Sequence, residues 1–256
     1  MSNIADRRPS VARGGRIVDL GQMDLGDLWR AWITYPTIHL YAALFAAAVG
    51  GAFWLGAAER PLRSLAVVAL TLVIYPPVEY LLHRFVLHAR WLYKNPATAS
   101  LWKRIHYDHH QDPQRLDVLF GSPSNTLPAV VIFTLPLGLL VSGWSGFLLS
   151  FATGLAIFSF YEFCHCVQHL NYIPDSAWLR RIKKHHMAHH FHNETGNFGI
   201  TSTVIDRLVG THYEDLRSRP RSAHVNDLGY DEAEAALYPW VRAKSVELAG
   251  GRDEHS

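Results

Sequence analysis

Four long apolar stretches, at 37–57, 62–82, 127–143 and 146–165, come in two pairs with very little chain between the members of each pair. About 20 apolar residues is the length an α-helix needs to cross a bilayer, and so short a connection forces the second helix to run back beside the first. The sequence therefore predicts an all-α integral membrane protein with four transmembrane helices arranged as two hairpins. The turns at 59–61 and 142–145 carry few positive charges, whereas the leader, 84–115 and 180–207 carry many. Positive charge marks the cytoplasmic side, so both termini and the basic segments are expected there, the latter folded as a cytosolic helical cap. A soluble helical bundle is the alternative, but four such stretches exceed what a soluble core needs.

Composition agrees once its averaging is undone. The chain of 256 residues is 49% hydrophobic and 18% charged, yet its mean hydropathy is only +0.01 because apolar stretches alternate with segments rich in Arg, Lys and His. A net charge of +2 is too small to drive nucleic-acid binding, and no nucleic-acid partner is expected. Cys164 and Cys166, the two cysteines, sit inside an apolar stretch, offer no disulfide framework and read as small packing residues in a reducing compartment.

Three segments follow. Residues 1–34 form a polar leader containing Arg7, Arg8, Arg13 and Arg16, with no signal-peptide pattern. It ends in Leu25, Leu28, Trp29 and Trp32 at helical spacing, which fits either a short helix on the membrane surface or a ragged start to the first spanning helix. Residues 35–215 form the membrane domain with every histidine cluster, and 216–256 form a polar C-terminal tail with no assigned role in the site. From Leu62 to Glu79 a helix rises about 25 Å, so His83 and His88 emerge just beyond the hydrocarbon, after a kink expected at Pro76 and Pro77.

Sixteen histidines are the chemical signature. Ten fall into four clusters: His83 with His88, His106 with His109 and His110, His165 with His169, and His186 with His189 and His190. Two clusters share the pattern HxxHH, which on a helix places imidazoles on one face. Adding 80 to 82 carries the first five histidines onto the last five, and each five follows a hairpin. Two similar halves are expected, each contributing five histidines to a shared centre. Ten buried neutral imidazoles without cations would leave many acceptors unpaired.

The donor count points to the metal. Catalytic zinc usually takes three protein ligands and structural zinc four, whereas ten imidazoles on two ions give five each and leave one octahedral position open. That arrangement suits a pair of non-haem irons that react with O2, although zinc can occupy the same donors. Glu79, Asp108, Glu162 and Asp206 are placed to accept from the outward ring nitrogens. His39, His212, His224 and His255 read as structural or surface residues, while His185 and His192 flank the last cluster, His185 being the natural substitute ligand.

In EYLLHRFVLH, HYDHH, HCVQH, HHMAHH and the following FGITSTVIDRLVGT, the chain resembles the fatty acid hydroxylase/sterol desaturase superfamily of membrane di-iron enzymes, over roughly 75–215. The first of these and RLDVLFGSP look most like fatty acid 2-hydroxylases acting on sphingolipid acyl chains. The resemblance implies iron at the ten named histidines, O2 as co-substrate, a membrane lipid as substrate, and a cytoplasm-facing site above a four-helix anchor. The eukaryotic 2-hydroxylases carry an amino-terminal b-type cytochrome domain with no counterpart in this sequence. An external electron donor is therefore expected, either a ferredoxin or a b-type cytochrome with its reductase.

The reading that emerges is an oxygen-dependent lipid hydroxylase, with carotenoid or sterol hydroxylation or desaturation as variants of the same chemistry. No serine-histidine pair or paired carboxylates are found, and hydrogen abstraction requires neither, so no catalytic residue is expected beyond the metal centre. Lys103, Arg104, Arg180, Lys183 and Lys184 fit a lipid headgroup or, more plainly, mark topology and anchor anionic lipid. Two rivals of other classes are a di-zinc membrane hydrolase, which would need no reductant, and a histidine-rich metal transporter, whose sites belong nearer mid-membrane.

Overall fold

The computed structural model describes residues 19–242. Among these residues the chain is helical, and the one strand-like pairing is an isolated bridge between Asp19 and Arg115. His255 and the arginines at 7, 8, 13 and 16 lie outside the described residues.

The apolar positions at the end of the leader form a helix of their own, separate from the first long one. α1, Leu25–Ile33, starts at Asp24, whose carboxylate accepts from Asp27 N at 2.7 Å while Asp24 N donates to Asp27 at 3.3 Å. This reciprocal cap satisfies amides that the first helical turn leaves free. Leu28 is buried, and Trp29 and Trp32 stack together and meet Phe163 edge-on.

Three helices are long and apolar enough to cross a membrane: 36–54, 61–87 and 123–169. α2, Pro36–Trp54, and α3, Pro61–Leu82, both begin on proline, which has no amide to leave unpaired at that position. Between them Gly56 takes a φ of +82°, a left-handed conformation that tightens the turn. α3 stays helical through Pro76 and Pro77. It gives way to a π-helical segment at His83–Leu87, which begins six residues after Pro77.

Four short helices lead to the third long one: α4, Arg90–Tyr93; α5, Pro96–Trp102; α6, Asp108–Gln111; and α7, Leu116–Leu119. A second π segment, Lys103–Tyr107, joins α5 to α6. α8, Pro123–His169, is broken at Ser142 and Gly143, the latter with φ 64° and ψ −149°, a region open essentially to glycine alone. Its two arms run back alongside each other. A Cβ on Gly138 would collide with the backbone of Phe147, and one on Gly154 would press on Thr134 and Val130. The stretches at 127–143 and 146–165, expected as two separate helices, thus form the two arms of one bent helix. α2 and α3 both pack along α8, with Thr71 and Ser150 hydroxyls 2.9 Å apart at the crossing. Trp54, Leu62 and Leu140 point outward, each more than 80% exposed, as a lipid-facing surface requires.

The remaining elements, α9, Ala177–Phe191, α10, Val204–Val209, and α11, Glu232–Leu237, assemble with α4–α7 at the end of the arms where the histidines lie. Within the polar segment after 215, Leu228, Tyr230, Ala235 and Val241 are buried against Leu92, Tyr93 and Trp102. Their apolar positions are too sparse among charges to announce a core. The buried patch nonetheless ties the chain's end to the segment between the hairpins.

Candidate metal centre

His83 and His88 are five residues apart, a spacing that in an α-helix would turn them about 140° away from each other. The π segment removes that offset. His88 N donates to His83 O at 3.1 Å, an i to i+5 bond, and the two rings come to lie 5.0 Å apart. His165 and His169, four residues apart at the end of α8, need no such device. This one-residue difference is why the offset between the halves drifts from 82 at the first histidine to 81 at the second.

The ten predicted histidines converge, all of them buried except the half-buried His88. They form two sets of five: His83, His88, His106, His110 and His189, and His109, His165, His169, His186 and His190. Within each set one ring nitrogen per residue lies within 4.8 Å of the others. Neither set belongs to one half of the sequence. The middle histidine of each HxxHH motif crosses over, so His109 joins the second-half cluster and His189 the first. Under the 80-to-82 offset, one set maps onto the other.

Metal fits these donors on two observations. His110 Nδ1 and His189 Nδ1 each lie 2.7 Å from a carbonyl oxygen, those of Val225 and Gly196, and His83 Nδ1 meets Phe198 O. A carbonyl only accepts, so these Nδ1 atoms donate and the Nε2 atoms carry lone pairs. Yet His106 Nε2 lies 3.0 Å from Nε2 of both His88 and His110 and 3.1 Å from that of His83. One proton can serve only one of those contacts; the others set lone pair against lone pair unless a cation lies among them. In the second set His186 Nε2 is 3.0 Å from both His165 and His169 Nε2, and neither ring nitrogen of His190 has any partner among the described residues. The spacing is informative too. Donors about 2.1 Å from a common centre stand about 3.0 Å apart on an octahedron and about 3.4 Å apart on a tetrahedron.

Burial and the neighbouring imidazoles push His106, His109, His110, His186 and His190 well below the ordinary histidine range, and burial takes His189 down to about 4. All six are neutral at physiological pH, which is the form that binds metal.

The four carboxylates behave differently from expectation, since none contacts a histidine of either set. Glu79 accepts from Ile200 N at 2.5 Å, Thr201 N at 2.9 Å and the Thr201 hydroxyl at 2.5 Å. Asp206 accepts from Phe198 N at 2.9 Å, Gly199 N at 2.7 Å and Thr211 Oγ1 at 2.6 Å, and pairs with His185 Nε2 at 3.1 Å. Burial alone would raise the Asp206 carboxyl, but hydrogen bonds from His185 and Thr211 take it down to about 2. Both carboxylates therefore act one step removed, fixing the loop whose Phe198 carbonyl holds His83. Asp108 is turned to Lys103. Glu162 accepts from Gly121 N at 2.8 Å, and its other oxygen has no partner among the described residues.

Sequence reasoning missed the carbonyls of Gly196, Phe198 and Val225, because a backbone acceptor leaves no mark on residue type. The 216–242 segment, given no role in the site, supplies one of them. His185, the substitute ligand, belongs to neither set and is taken up by Asp206. His39 and His192 bond backbone carbonyls, His224 bonds Asp227, and His212 lies between His185 and Glu214.

An apolar cavity of about 430 Å³ reaches the centre from the side of α3 and α8. His83, His106, His109 and His165 are among its lining residues, together with Val130, Phe133 and Phe158.

A helical membrane protein with paired five-imidazole sets at the end of its apolar arms is the class that fold and site define. The family model for fatty acid hydroxylase matches residues 68–211, more than half of the chain, and the chain belongs to that family. It is 30% identical over 141 residues to the ceramide very long chain fatty acid hydroxylase of Saccharomyces cerevisiae, covering 54% of this chain and 36% of that one. It is 29% identical over 143 residues to the fatty acid 2-hydroxylase of Rattus norvegicus, covering 56% and 38%. With the dihydroceramide fatty acyl 2-hydroxylase FAH2 of Arabidopsis thaliana the match runs over 202 residues at 27% identity, covering 72% and 77%. The chain thus spans little more than a third of the yeast and rat relatives. The solved structure of full-length scs7p, in which only the hydroxylase domain is visible, shares the fold, with a TM-score of 0.57 at 23% identity over 79% of this chain and 71% of that one.

Proposed function

We propose that this protein is an oxygen-dependent hydroxylase that inserts one oxygen atom into a carbon–hydrogen bond of a lipid acyl chain. The observation that carries the reading is the convergence of two five-imidazole sets beside an apolar cavity that four of their histidines line. Five imidazole donors in each set exceed the three or four that zinc usually takes from a protein and would suit non-haem iron reacting with O2. The likeness to fatty acid and ceramide 2-hydroxylases favours carbon 2 of a fatty acyl or sphingolipid acyl chain. It also favours hydroxylation over desaturation.

In this reading the ten histidines would hold two iron ions, with zinc as a substitute, and such a pair would supply the O2 and hydrogen-abstraction chemistry. The rest falls to the chain's own groups. Val130, Phe133 and Phe158 would receive the acyl chain and exclude water from it, while His83, His106, His109 and His165, which line the same cavity, would set which carbon meets the centre. The carbonyls of Phe198, Val225 and Gly196 hold His83, His110 and His189 in the tautomer that turns Nε2 inward. No residue is required as acid or base at the alkyl carbon. The four apolar arms would each cross the membrane, with termini and site on the cytoplasmic side, and electrons come from an external carrier, a ferredoxin or a b-type cytochrome with its reductase. In domain terms, 35–215 would be the catalytic domain.

Expression of the wild type and His189→Ala in a host lacking this activity, followed by mass spectrometry of total lipids, tests the reading. A 2-hydroxy acyl lipid should appear with the wild type alone. Iron and zinc per chain, measured after anaerobic purification, should show iron close to two; identical lipid profiles in the two strains would overturn the assignment.

A further inference from the structure

A second cavity, of about 740 Å³, opens on the face of α9 turned away from the histidine sets. Its walls are α9 and the 212–221 segment, and its cations are Arg180, Arg181, Lys184 and Arg221. Glu214 is the one carboxylate among the lining residues, and it is already engaged by Arg207 at 2.6 Å and His212 at 3.1 Å. Arg180 is tied to the carbonyls of Pro174 and Asp175. Arg181, Lys184 and Arg221 are exposed and have no ion pair among the described residues. The groove therefore presents three cations that no carboxylate among the described residues contacts directly, with Asp215 acting on Lys184 only at longer range.

Its floor leads directly to the metal centre. His185 lines the groove although it is buried, is next in the chain to His186 of the second set, and pairs with Asp206. Asp206 in turn holds the amide of Phe198, whose carbonyl holds His83 of the first set. His212, also in the lining, stacks on His185 with ring centroids 5.1 Å apart.

The geometry points to this groove as the docking site of an acidic one-electron carrier protein. The inference rests on the hydroxylase reading, because the balance R–H + O2 + 2 e⁻ + 2 H⁺ → R–OH + H2O needs two electrons that neither lipid nor O2 supplies. Two successive dockings of a one-electron carrier deliver them. Complementary charge is what brings such partners together quickly and reversibly. A lipid phosphate would meet the same cations. The protein partner is favoured because the lining continues about 20 Å along α9 beyond Trp178, whose ring stacks on Phe160 of α8, and because the floor is bonded through to both histidine sets.

The test uses the full chain in lipid nanodiscs, as wild type, R181E/K184E/R221E and the milder R181Q/K184Q/R221Q. Binding of an acidic [2Fe–2S] ferredoxin and of an acidic soluble b-type cytochrome is titrated at low and high salt, independently of turnover. Hydroxylation is then driven in one arm by ferredoxin with its NADPH reductase and in the other by dithionite. Charge reversal should weaken carrier binding and carrier-driven turnover at least tenfold and flatten their salt dependence, the neutral variant falling between. Dithionite-driven single-turnover yield and metal per chain should stay at wild-type level. Unchanged binding of both carriers would overturn the proposal, as would equal losses in the carrier and dithionite arms, the outcome a lipid-headgroup site gives. Failure of the wild type to form product even with dithionite would instead count against the hydroxylase reading, with the binding titration still deciding the docking site.

Discussion

His109 Nε2 lies 3.1 Å from His165 Nε2, although the two residues come from opposite halves of the chain and His109 is separated by a single turn from His106, which serves the other set. The reciprocal exchange brings His189 within 3.1 Å of His88. Metal retention should follow space and not sequence. His109→Ala/His165→Ala should keep about one ion per chain, as should each single variant, because both remove donors from the same set. His106→Ala/His109→Ala, close in sequence, should lose both. Metal per chain and cobalt(II) absorption read the difference; equal loss in the two double variants would dissolve the two-set arrangement.

Asp206 serves four donors at once, and Asp206→Asn would leave at least one facing an amide NH2. Hydrogen bonds to a charged group contribute about 1.5–3 kcal/mol each, so a fall in stability of about 2–4 kcal/mol is expected by thermal or denaturant unfolding in detergent. Because the same loop carries the Phe198 carbonyl, metal affinity of the His83 set should fall about 10- to 100-fold. The His165 set should retain its ion.

Acidification of the metal-free chain should destabilise it over a defined window. The buried histidines have folded-state pKa values below the ordinary value of about 6.5, His189 at about 4. Between those limits the unfolded chain binds protons that the folded chain refuses. Stability is therefore fully present above pH ~6.5 and drains away as pH falls toward the folded values, at up to about 1.4 kcal/mol per pH unit for each such group. Unfolding midpoints at pH 7, 6 and 5 should descend steadily, and a flat profile would contradict the burial of neutral imidazoles.

At the bend of α8, Gly138→Ala should cost about 1–3 kcal/mol, since the new methyl meets the Phe147 backbone, which cannot swing aside. Gly154→Ala presses on the side chains of Thr134 and Val130 and should cost less. Midpoints of thermal unfolding for the two variants settle the order.

Much of this architecture could be read from the residues. Hydropathy located the arms to within a few residues because lipid imposes a length and a polarity that few other environments do, and HxxHH marked the converging helices because i, i+3 and i+4 share a face. What escaped was non-local. The crossover of His109 and His189 depends on two helices passing each other, which no spacing within either motif encodes. Glu79 and Asp206 were expected to orient ring nitrogens of the clusters, whereas their partners are groups of the 198–201 loop and, for Asp206, His185 and Thr211 as well, so their influence is transmitted instead of direct. Asp108 was claimed by Lys103, five residues earlier across a π turn that reorders neighbours. Val225 was hidden because its carbonyl does the holding, and Leu228, Tyr230 and Val241 because charged residues separate them.

The exchange of one imidazole between the halves makes each hairpin dependent on the other for its ligands. Cut between the two, at a point such as the loop before α8, the fragments would each own four donors of one pocket and a single stray donor of the other. Neither fragment could complete a five-donor set by itself, whereas co-produced fragments could do so by assembling as a pair. Anything that pries the two hairpins apart, whether a solubilising detergent or a bulky lipid wedged between them, should therefore open both pockets together.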